Sequence, residues 1–459
     1  MWTLQSQTSF SRTVPLYTIA VVASLSLSAC SPLFPPEDEA AIATETANTP
    51  AVNGVQSNAV TPSTIGNSTT SDIASPEITP DVTPELEVLR PYLRGNAQFG
   101  WQPGQVGRPE EFWNRRIDHL PVNPESSAVT TYLSHVSLND KEDPNSGEFV
   151  AQFDFGTKAD GNNYSIHILE SDANTPRYDF TPRQRGNGFS EDEFWIPHCD
   201  RIAMPVPENG RLQGEADYQC NGGGDCHLYV VASHEGRIYE QWRADNPGPN
   251  RRKYAGGCTT VWDLSEPQHK NLRGLSCASG NASGIPYIPL LITPGEIKAG
   301  VIRHGIAFTL PNGWVERDTY ARPATHNPLV SSRWGKHLPA PGQPMRYGSH
   351  FRLSKEFQIS PEWPPALKVI LQALKDYGMY HIDGGPRMIV ASHDAFSAHH
   401  WRDPDILLNP HDLTQIAHLS WKDFELISAE GETGSMVRRN CSRRTKRERA
   451  PRKRARVES

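Results

Sequence analysis

The chain has 459 residues, of which 37% are hydrophobic and 21% charged, and its formal net charge is −7. This length accommodates one large domain or two ordinary ones, and the 35 Gly and 39 Pro favour a loop-rich, mainly β architecture over a helical one. The charge is uneven, because residues 438–459 hold eleven Lys/Arg and two Glu, a local +9 that leaves −16 for the rest. An acidic body argues against nucleic acid as the main partner.

The N-terminus has the features of an export signal. Arg12 precedes an apolar, small-residue run from Val14 to Leu27 that is too short to span a bilayer as an ordinary helix. The run ends in Leu27-Ser28-Ala29-Cys30, which resembles the lipobox of bacterial lipoproteins. The resemblance implies a signal peptide over 1–29, lipidation of Cys30 and a membrane lipid anchor. Ser31 in place of Asp implies the outer membrane of a Gram-negative cell, on its periplasmic or cell-surface side. The alternative is an ordinary secretory signal with a Cys there by chance.

A low-complexity segment follows over 30–89. From Ser31 to Leu89 there is no Lys or Arg, and Phe34 is the only aromatic residue, while Thr, Pro, Ser and acidic residues are frequent. Such a composition buries too little apolar area to offset chain entropy, so we predict a disordered acidic tether.

The folded domain is predicted over 90–430, because large apolar anchors such as Trp101 and Trp113 begin there. Short runs with alternating apolar residues, separated by Gly, Pro and Asn, predict many strands and a jelly-roll-like β-sandwich. The predicted strands include Glu148–Phe155, Cys226–Ala232, Arg237–Trp242, Cys258–Leu264, Val301–Leu310, Ser349–Leu353, Met379–Asp383, Arg387–Ala391 and Trp421–Ile427. We predict that the basic segment 431–459 is disordered, and that the part from Arg438 onward is dispensable for folding.

One supporting helix is predicted between the strands. Leu367, Ile370, Leu371 and Leu374 recur at helical spacing, after Pro364-Pro365 and before Gly378. Pro is tolerated at a helix start, and Gly suits the left-handed residue that ends a helix.

His304 lies in the most regular of the predicted strands, Val301–Leu310. Alternation places it on one face with Ile302, Ile306 and Phe308. A buried imidazole needs a hydrogen-bond partner. His304 is therefore either a hydrogen-bonded core residue or part of a face that lines a cleft.

Six cysteines besides Cys30 indicate disulfides in an exported chain. Cys220 with Cys226 and Cys258 with Cys277 are plausible local pairs, with Cys441 left for a remaining thiol. The single Cys220-x5-Cys226 spacing has no second pair, so it does not indicate a zinc site.

No nucleophile elbow, phosphate-binding glycine loop, dinucleotide fingerprint or HExxH motif is present, so the sequence indicates no cofactor. The candidate chemistry is therefore polar residues near strand ends. Glu240 and Trp242 share a strand face, which suits a sugar that stacks on the indole and bonds to the carboxylate. His381 and Asp383 also share a face, as an acid–base pair or two metal ligands. The structural alternatives are an exposed Glu240 beside a core-edge Trp242, and a solvated strand end for His381 and Asp383.

Two further polar residues are candidates from their positions alone. His326 lies in the loop Arg322-Pro323-Ala324-Thr325-His326, where it could bind a ligand. Arg352 could neutralise a substrate carboxylate, or it could form a structural ion pair.

Several stretches together resemble a loosely defined family of exported, mostly uncharacterised bacterial β-sandwich proteins. The resemblance covers about two fifths of the chain, from 224 to 403, and implies the fold and export without assigning catalytic residues. This chain has Gly300-Val301-Ile302 where members often carry Gly-Glu-Ile, so any role of that carboxylate is absent. The matching stretches are Asp225–Val231, Arg237–Glu240, Ala299–His304, Arg322–His326, Phe351–Leu353 and Ala373–Asp383.

The sequence thus predicts a membrane-anchored exported lipoprotein with a glycan-facing cleft, and two classes of function remain open. One is a polysaccharide hydrolase, with Glu240 and Asp383 as the carboxylate pair, or a lyase, with His304 or Tyr239 as the base and Arg352 as the charge neutraliser. In either case Trp242, His326 and His381 would contact the ligand. The alternative is a non-catalytic carbohydrate-binding or structural surface lipoprotein.

Overall fold

The computed structural model describes residues 88–135, 152–154, 166–182, 198–221, 225–246, 254–268, 270–328, 345–385, 388–390, 401, 403–406, 408–409, 412–428, 433–435 and 441–443. All of them lie within the compact unit Ile78–Ser459. The predicted signal, Cys30 and nearly all of the predicted tether lie outside the described residues. In the described ranges, none of the helices has the length and apolar character needed to cross a bilayer.

The chain is mainly β, with strands in several sheets and few helices. The helices are α1 (Ser126–His135), α2 (Pro294–Ala299), α3 (Pro365–Asp376) and α4 (Asp412–Gln415). The strands of the first half are β1 (Gln152–Asp154), β2 (Ile168–Glu170), β3 (Arg177–Tyr178), β4 (Phe180–Pro182), β5 (Met204–Pro205), β6 (Leu228–Ala232), β7 (Arg237–Trp242), β8 (Tyr254–Gly256) and β9 (Cys258–Asp263). Those of the second half are β10 (Ile306–Leu310), β11 (Thr319–Ala321), β12 (His350–Leu353), β13 (Met379–Gly384), β14 (Met388–Val390), β15 (Phe424–Leu426) and β16 (Thr433–Ser435).

Among the described strands, ten form two larger sheets, and the other six form the two-stranded sheets β3-β5, β4-β8 and β11-β16. A six-stranded sheet has the order β1-β14-β10-β13-β12-β15, in which β10 runs parallel to β13 and antiparallel to β14. A four-stranded sheet has the order β2-β6-β7-β9, in which β6, β7 and β9 are antiparallel neighbours. The predicted hairpin of Cys226–Ala232 and Arg237–Trp242 is thus confirmed as β6 and β7.

The core lies in layers on the faces of these sheets. Helix α3 presents Leu367, Ile370 and Leu374 to a cluster that also contains Phe308 of β10. A second cluster combines Tyr380 of the six-stranded sheet with residues of β6, β7 and β9 in the four-stranded sheet. Each fully buried large apolar side chain contributes about 1.5–3 kcal/mol. The predicted helix is therefore confirmed as α3, and Gly378 after it adopts the left-handed conformation with φ of 70°.

The predicted strand Val301–Leu310 begins later than expected. Helix α2 ends at Gly300, whose φ of 77° is left-handed, and Val301 N still donates to Glu296 O at 3.1 Å. Gly305 N donates to Trp113 O at 2.6 Å, which is not a strand partner, and pairing in the sheet starts at Ile306. The prediction was wrong for 301–305, because residues leaving a helix happened to alternate in polarity.

The six cysteines in the described ranges form three disulfides, Cys199–Cys258, Cys220–Cys226 and Cys277–Cys441. The pairing of Cys220 with Cys226 is confirmed, whereas the predicted pairing of Cys258 with Cys277 was wrong. Those two residues instead bond to partners that lie 59 and 164 positions away. Nearness in the sequence therefore predicted only the Cys220–Cys226 bridge correctly.

The C-terminal segment contributes to the fold, contrary to the predicted disorder from 431 onward. Strand β16 pairs antiparallel with β11, and Cys441 is bonded to Cys277. Ser442 N donates to Leu275 O at 3.0 Å, and Leu275 N donates to Ser442 Oγ at 2.8 Å. Residues 444–459 lie outside the described part of the chain.

We predict that replacing both Cys277 and Cys441 by Ala lowers the free energy of unfolding by about 2–4 kcal/mol, because the bridge closes a long loop. Denaturant unfolding of the oxidised protein measures the loss. The matched control is the Cys220→Ala/Cys226→Ala pair, whose bridge spans only 6 positions and should cost less. Unchanged stability after the Cys277/Cys441 change, or after truncation at Val437, would contradict a structural role for this segment.

Candidate functional site

A cleft of about 410 Å³ opens where four parts of the chain meet. Trp242 ends β7, Asp383 lies near the end of β13, His326 belongs to a loop after β11, and residues 278–282 form a wall. Three predicted site residues, Trp242, His326 and Asp383, therefore line one cleft. Its volume suits part of an organic ligand, such as one or two sugar rings.

Asp383 is the most perturbed carboxyl group of the cleft. Its Oδ1 accepts from Gly384 N at 2.9 Å and from Ala282 N at 3.2 Å. Burial and the nearby charge of Asp225 together raise the pKa of Asp383 to about 8. In the described part of the chain, its Oδ2 has no hydrogen-bond partner. Near neutral pH, Asp383 is thus a protonated carboxylic acid at the edge of a cleft.

Asp225 is the second carboxylate in the cleft lining, and the sequence did not single it out for chemistry. It is exposed, just before β6, and its Oδ1 accepts from Trp242 Nε1 at 3.0 Å. This bond fixes the indole edge. The guanidinium of Arg243 lies 5.5 Å from the centre of the Trp242 ring, but Arg243 is not a lining residue.

His326 presents a neutral imidazole to the cleft. Its Nδ1 donates to Ala282 O at 2.8 Å, and burial lowers the pKa of the ring to about 4. Because Nδ1 carries the proton, Nε2 has a free lone pair, and none of the described residues bonds to it. The side chain is 6% exposed, so this acceptor is held rigidly at the cleft wall.

His381 does not reach the cleft, although it is near Asp383 in sequence. It is fully buried, and its ring stacks on that of Tyr347 with centroids 4.6 Å apart. Nδ1 donates to Arg346 O at 3.2 Å, and burial lowers the pKa of His381 to about 4. Tyr347 itself lines the cleft and donates its hydroxyl proton to Asn312 Oδ1. The structure thus places Tyr347, not His381, where a ligand would lie.

Glu240 lies beneath the cleft wall and is not among its lining residues. Its Oε1 accepts from Tyr287 N at 2.5 Å and Ile288 N at 2.9 Å, and its Oε2 accepts from Trp262 Nε1 at 3.1 Å. The residue is fully buried, and burial raises its pKa to about 7. Gly280 covers it, since a Cβ at that position would lie 3.3 Å from Glu240 Cβ. The predicted carboxylate pair of Glu240 and Asp383 therefore does not face one groove.

Arg352 and Tyr239 also have structural partners and do not line the cleft. Arg352 is 2% exposed, and its Nη2 lies 2.6 Å from Glu425 Oε2, while its Nη1 donates to Ile117 O at 2.7 Å. Tyr239 donates its hydroxyl proton to Glu235 Oε1 at 2.7 Å. Of the two roles considered for Arg352, the structure thus contains the structural ion pair, with Glu425 as the partner.

His304 is a core residue with two partners. Its Nδ1 donates to Gly305 O at 2.7 Å, and its Nε2 lies 2.9 Å from Glu296 Oε1. The other oxygen, Glu296 Oε2, accepts from Thr293 N at 3.0 Å and completes the capping box that starts α2. Burial acts to lower the pKa of His304, but the Glu296 carboxylate outweighs it and raises the pKa. The pair fixes α2 to the start of β10.

One group of potential metal ligands occurs among the described residues, formed by Glu215, Cys220 and Cys226 within 4.8 Å of one another. Both sulfurs belong to a disulfide, so they are not thiolate ligands. This group is separate from the residues that line the cleft.

No protein-family model, no curated protein and no solved structure matches this chain.

We predict that His304→Gln lowers the free energy of unfolding by about 1–3 kcal/mol without changing ligand binding in the cleft, because its partners are structural. Since the folded pKa is raised, the stabilisation is fully present below the ordinary value of 6.5 and is lost as pH rises through the folded pKa. Urea unfolding at about pH 6 and about pH 9 measures this difference.

Glu296→Gln is the matched control for this pH dependence, because it removes the carboxylate and keeps His304. A His304→Gln deficit that stays constant with pH, or a loss of binding by a fully folded variant, would contradict the structural assignment.

Proposed function

We propose that this protein is an exported, lipid-anchored glycan-processing protein whose cleft hydrolyses a glycosidic bond. The observation that carries the proposal is that Asp383, with its pKa raised to about 8, lines the same cleft as Asp225 and the Trp242 indole. Glycoside hydrolysis needs one protonated carboxyl group and one carboxylate near the same bond. Indole faces stack on the apolar faces of sugar rings.

In this proposal Asp383 is the general acid and donates its proton to the leaving oxygen as the glycosidic bond breaks. A water molecule then bonds to the anomeric carbon and returns a proton to Asp383. Asp225 is an exposed residue of the cleft lining, and its carboxylate stabilises the positive charge that develops on the sugar ring. The free Nε2 of His326 accepts a hydrogen bond from the substrate. These roles differ from the sequence-based assignment, because Asp225 replaces Glu240 as the second carboxylate.

A lyase is less well supported by the same geometry. Such a reaction needs a cation to neutralise the substrate carboxylate, and Arg352, the residue considered for it, is bonded to Glu425 and lies outside the cleft lining. The bases considered, His304 and Tyr239, are bonded to Glu296 and Glu235.

The second candidate is a non-catalytic carbohydrate-binding lipoprotein. The observation that favours it is that the carboxylate pair expected from the sequence is divided, with Glu240 held by three hydrogen-bond donors beneath the wall. A cleft with one acid and an aromatic ring also serves for binding alone. A purely structural surface lipoprotein would have no use for an open cleft with unpaired acceptors.

A jelly-roll-like sandwich remains our proposal for the finer architecture. The cluster that joins side chains of the six-stranded and four-stranded sheets supports two packed sheets. The parallel pairing of β10 with β13 differs from the all-antiparallel pairing of a jelly roll.

We predict that Asp383→Asn lowers kcat about 10²- to 10⁴-fold and leaves ligand binding nearly unchanged, because the amide is isosteric but donates no acid proton. In the wild type, kcat should fall as pH rises above about 8, where Asp383 loses its proton. Release of reducing ends from a panel of polysaccharides measures turnover.

Asp263→Asn is the matched control, since Asp263 is paired with Arg237 at the opposite end of the β7–β9 ladder from Trp242. Binding without turnover by the wild type on every glycan would favour the binding protein. Turnover that survives Asp383→Asn would remove Asp383 from the reaction.

We predict that Cys30→Ala releases the protein from the membrane fraction, because the lipid on Cys30 is the proposed anchor. Palmitate labelling and fractionation of cells measure the change, with Ser31→Ala as the control that keeps the cysteine. Equal membrane recovery of wild type and Cys30→Ala would contradict the anchor.

A further inference from the structure

In the part of the chain that the structure describes, the acidic groups of the cleft have no cationic partner, unlike other carboxylates of this fold. Three carboxylates each lie within ion-pair distance of a guanidinium group. The pairs are Asp200 Oδ2 with Arg273 Nη2 at 2.9 Å, Glu425 Oε2 with Arg352 Nη2 at 2.6 Å, and Glu316 Oε2 with Arg346 Nε at 2.7 Å. Within the described residues, neither Asp225 nor Asp383 forms an ion pair, and the cleft lining contains no Lys or Arg. An acidic residue on a cleft wall with no Lys or Arg among its described lining residues favours a positively charged ligand over an anionic one.

The other polar group of the wall points to the same kind of ligand. His326 is more than nine-tenths buried, and its Nε2 is an acceptor with no partner in the described part of the chain. A carboxylate at Asp225 and a lone pair at His326 both require hydrogen-bond donors. A protonated amino group supplies three donors and a positive charge, whereas a sugar carboxylate supplies neither.

The size and lining of the cleft favour an organic cation over a metal ion. A volume of about 410 Å³ is far larger than a single ion, and the lining includes the Trp242 indole. In the described ranges, the only cluster of three potential metal ligands is the disulfide-bonded one at Glu215, Cys220 and Cys226. An indole next to a carboxylate suits an organic ligand that has both a positive charge and an apolar face.

We propose that the cleft selects a glycan with free amino groups, of the glucosamine type, over N-acetylated and carboxylated glycans. The ammonium group donates hydrogen bonds to the Asp225 carboxylate and to His326 Nε2, the sugar face packs on Trp242, and Asp383 remains available as the acid. This inference rests on the proposed function and specifies the substrate class of the same cleft.

Isothermal titration of the full-length protein in detergent tests the selection with three sugar tetramers. They are β-linked glucosamine, β-linked N-acetylglucosamine and α-linked galacturonic acid. The wild type should bind the glucosamine tetramer at least about tenfold more tightly than the acetylated one at about pH 6, where the amines are protonated. The preference should shrink as ionic strength rises, because it arises from charge.

Asp225→Asn and His326→Gln should each remove most of the preference, and Asp263→Asn should keep it. Asp225 is exposed, so its variant should fold, and the salt dependence of the wild type needs no variant. Thermal melts with calcium chloride and with zinc chloride test whether the cleft binds a metal ion instead.

Equal affinity for the glucosamine and acetylated tetramers would overturn the selection for amines but leave glycan processing intact. Tightest binding of the galacturonate tetramer, or a metal-dependent rise in Tm that Asp225→Asn abolishes, would also overturn it. Failure of all three tetramers to bind, together with no turnover on the polysaccharide panel, would remove both the inference and the proposed function.

Discussion

The buried carboxyl group of Glu240 is the constraint on which the surrounding structure depends. It lies on β7, between β6 and β9, and accepts from the Trp262 indole and from the backbone of Tyr287 and Ile288. An unmade bond to a buried group costs about 1–3 kcal/mol, so the segment around 287 must stay where these donors are satisfied. That segment packs in the cluster shared by the two sheets. One acidic side chain thereby fixes the four-stranded sheet to the chain that leads into α2.

The cleft follows from this arrangement, because its wall lies between Glu240 and the solvent. Gly280 rests against Glu240, and Gly280 O accepts from His227 Nε2 at 3.0 Å. Two residues further on, Ala282 donates to Asp383 Oδ1 and accepts from His326 Nδ1. The same short loop thus positions the acid and the neutral imidazole. Its backbone satisfies one side of each group, and within the described ranges Asp383 Oδ2 and His326 Nε2 have no other hydrogen-bond partner.

The sequence predicted the regular elements well where one signal was sufficient. Helix α3 combined apolar spacing with Pro and Gly at its ends, and the β6–β7 hairpin combined two apolar runs with a short turn. Helix α2 was missed because six residues are too few to show a period, although its T-x-x-E capping box begins at Thr293. Alternation correctly placed Glu240 on β7 but could not show that the chain around 280 covers it. The cleft joins residues from 225 to 383, and no local pattern encodes such a meeting.

The C-terminal cross-link shows why net charge alone misjudged the basic segment. Arg443 bonds to Asp200, which also lies 2.9 Å from Arg273. Arg273 Nη1 donates to Ala278 O at 3.0 Å, and Ala278 N donates to His198 Nδ1 at 3.0 Å. Burial, together with the nearby positive charge of Arg443, lowers the pKa of Arg273, and Asp200 balances both guanidinium groups. From its composition, the basic segment was expected to lie in solvent. Instead, Arg443 and Cys441 hold one end of the cleft wall, through the buried Asp200 and through the disulfide to Cys277. The wall is consequently fixed at both ends, by Cys441 and Arg443 before Ala278 and by Asp383 after Gly280, so the fold itself holds Asp383 and His326 in position.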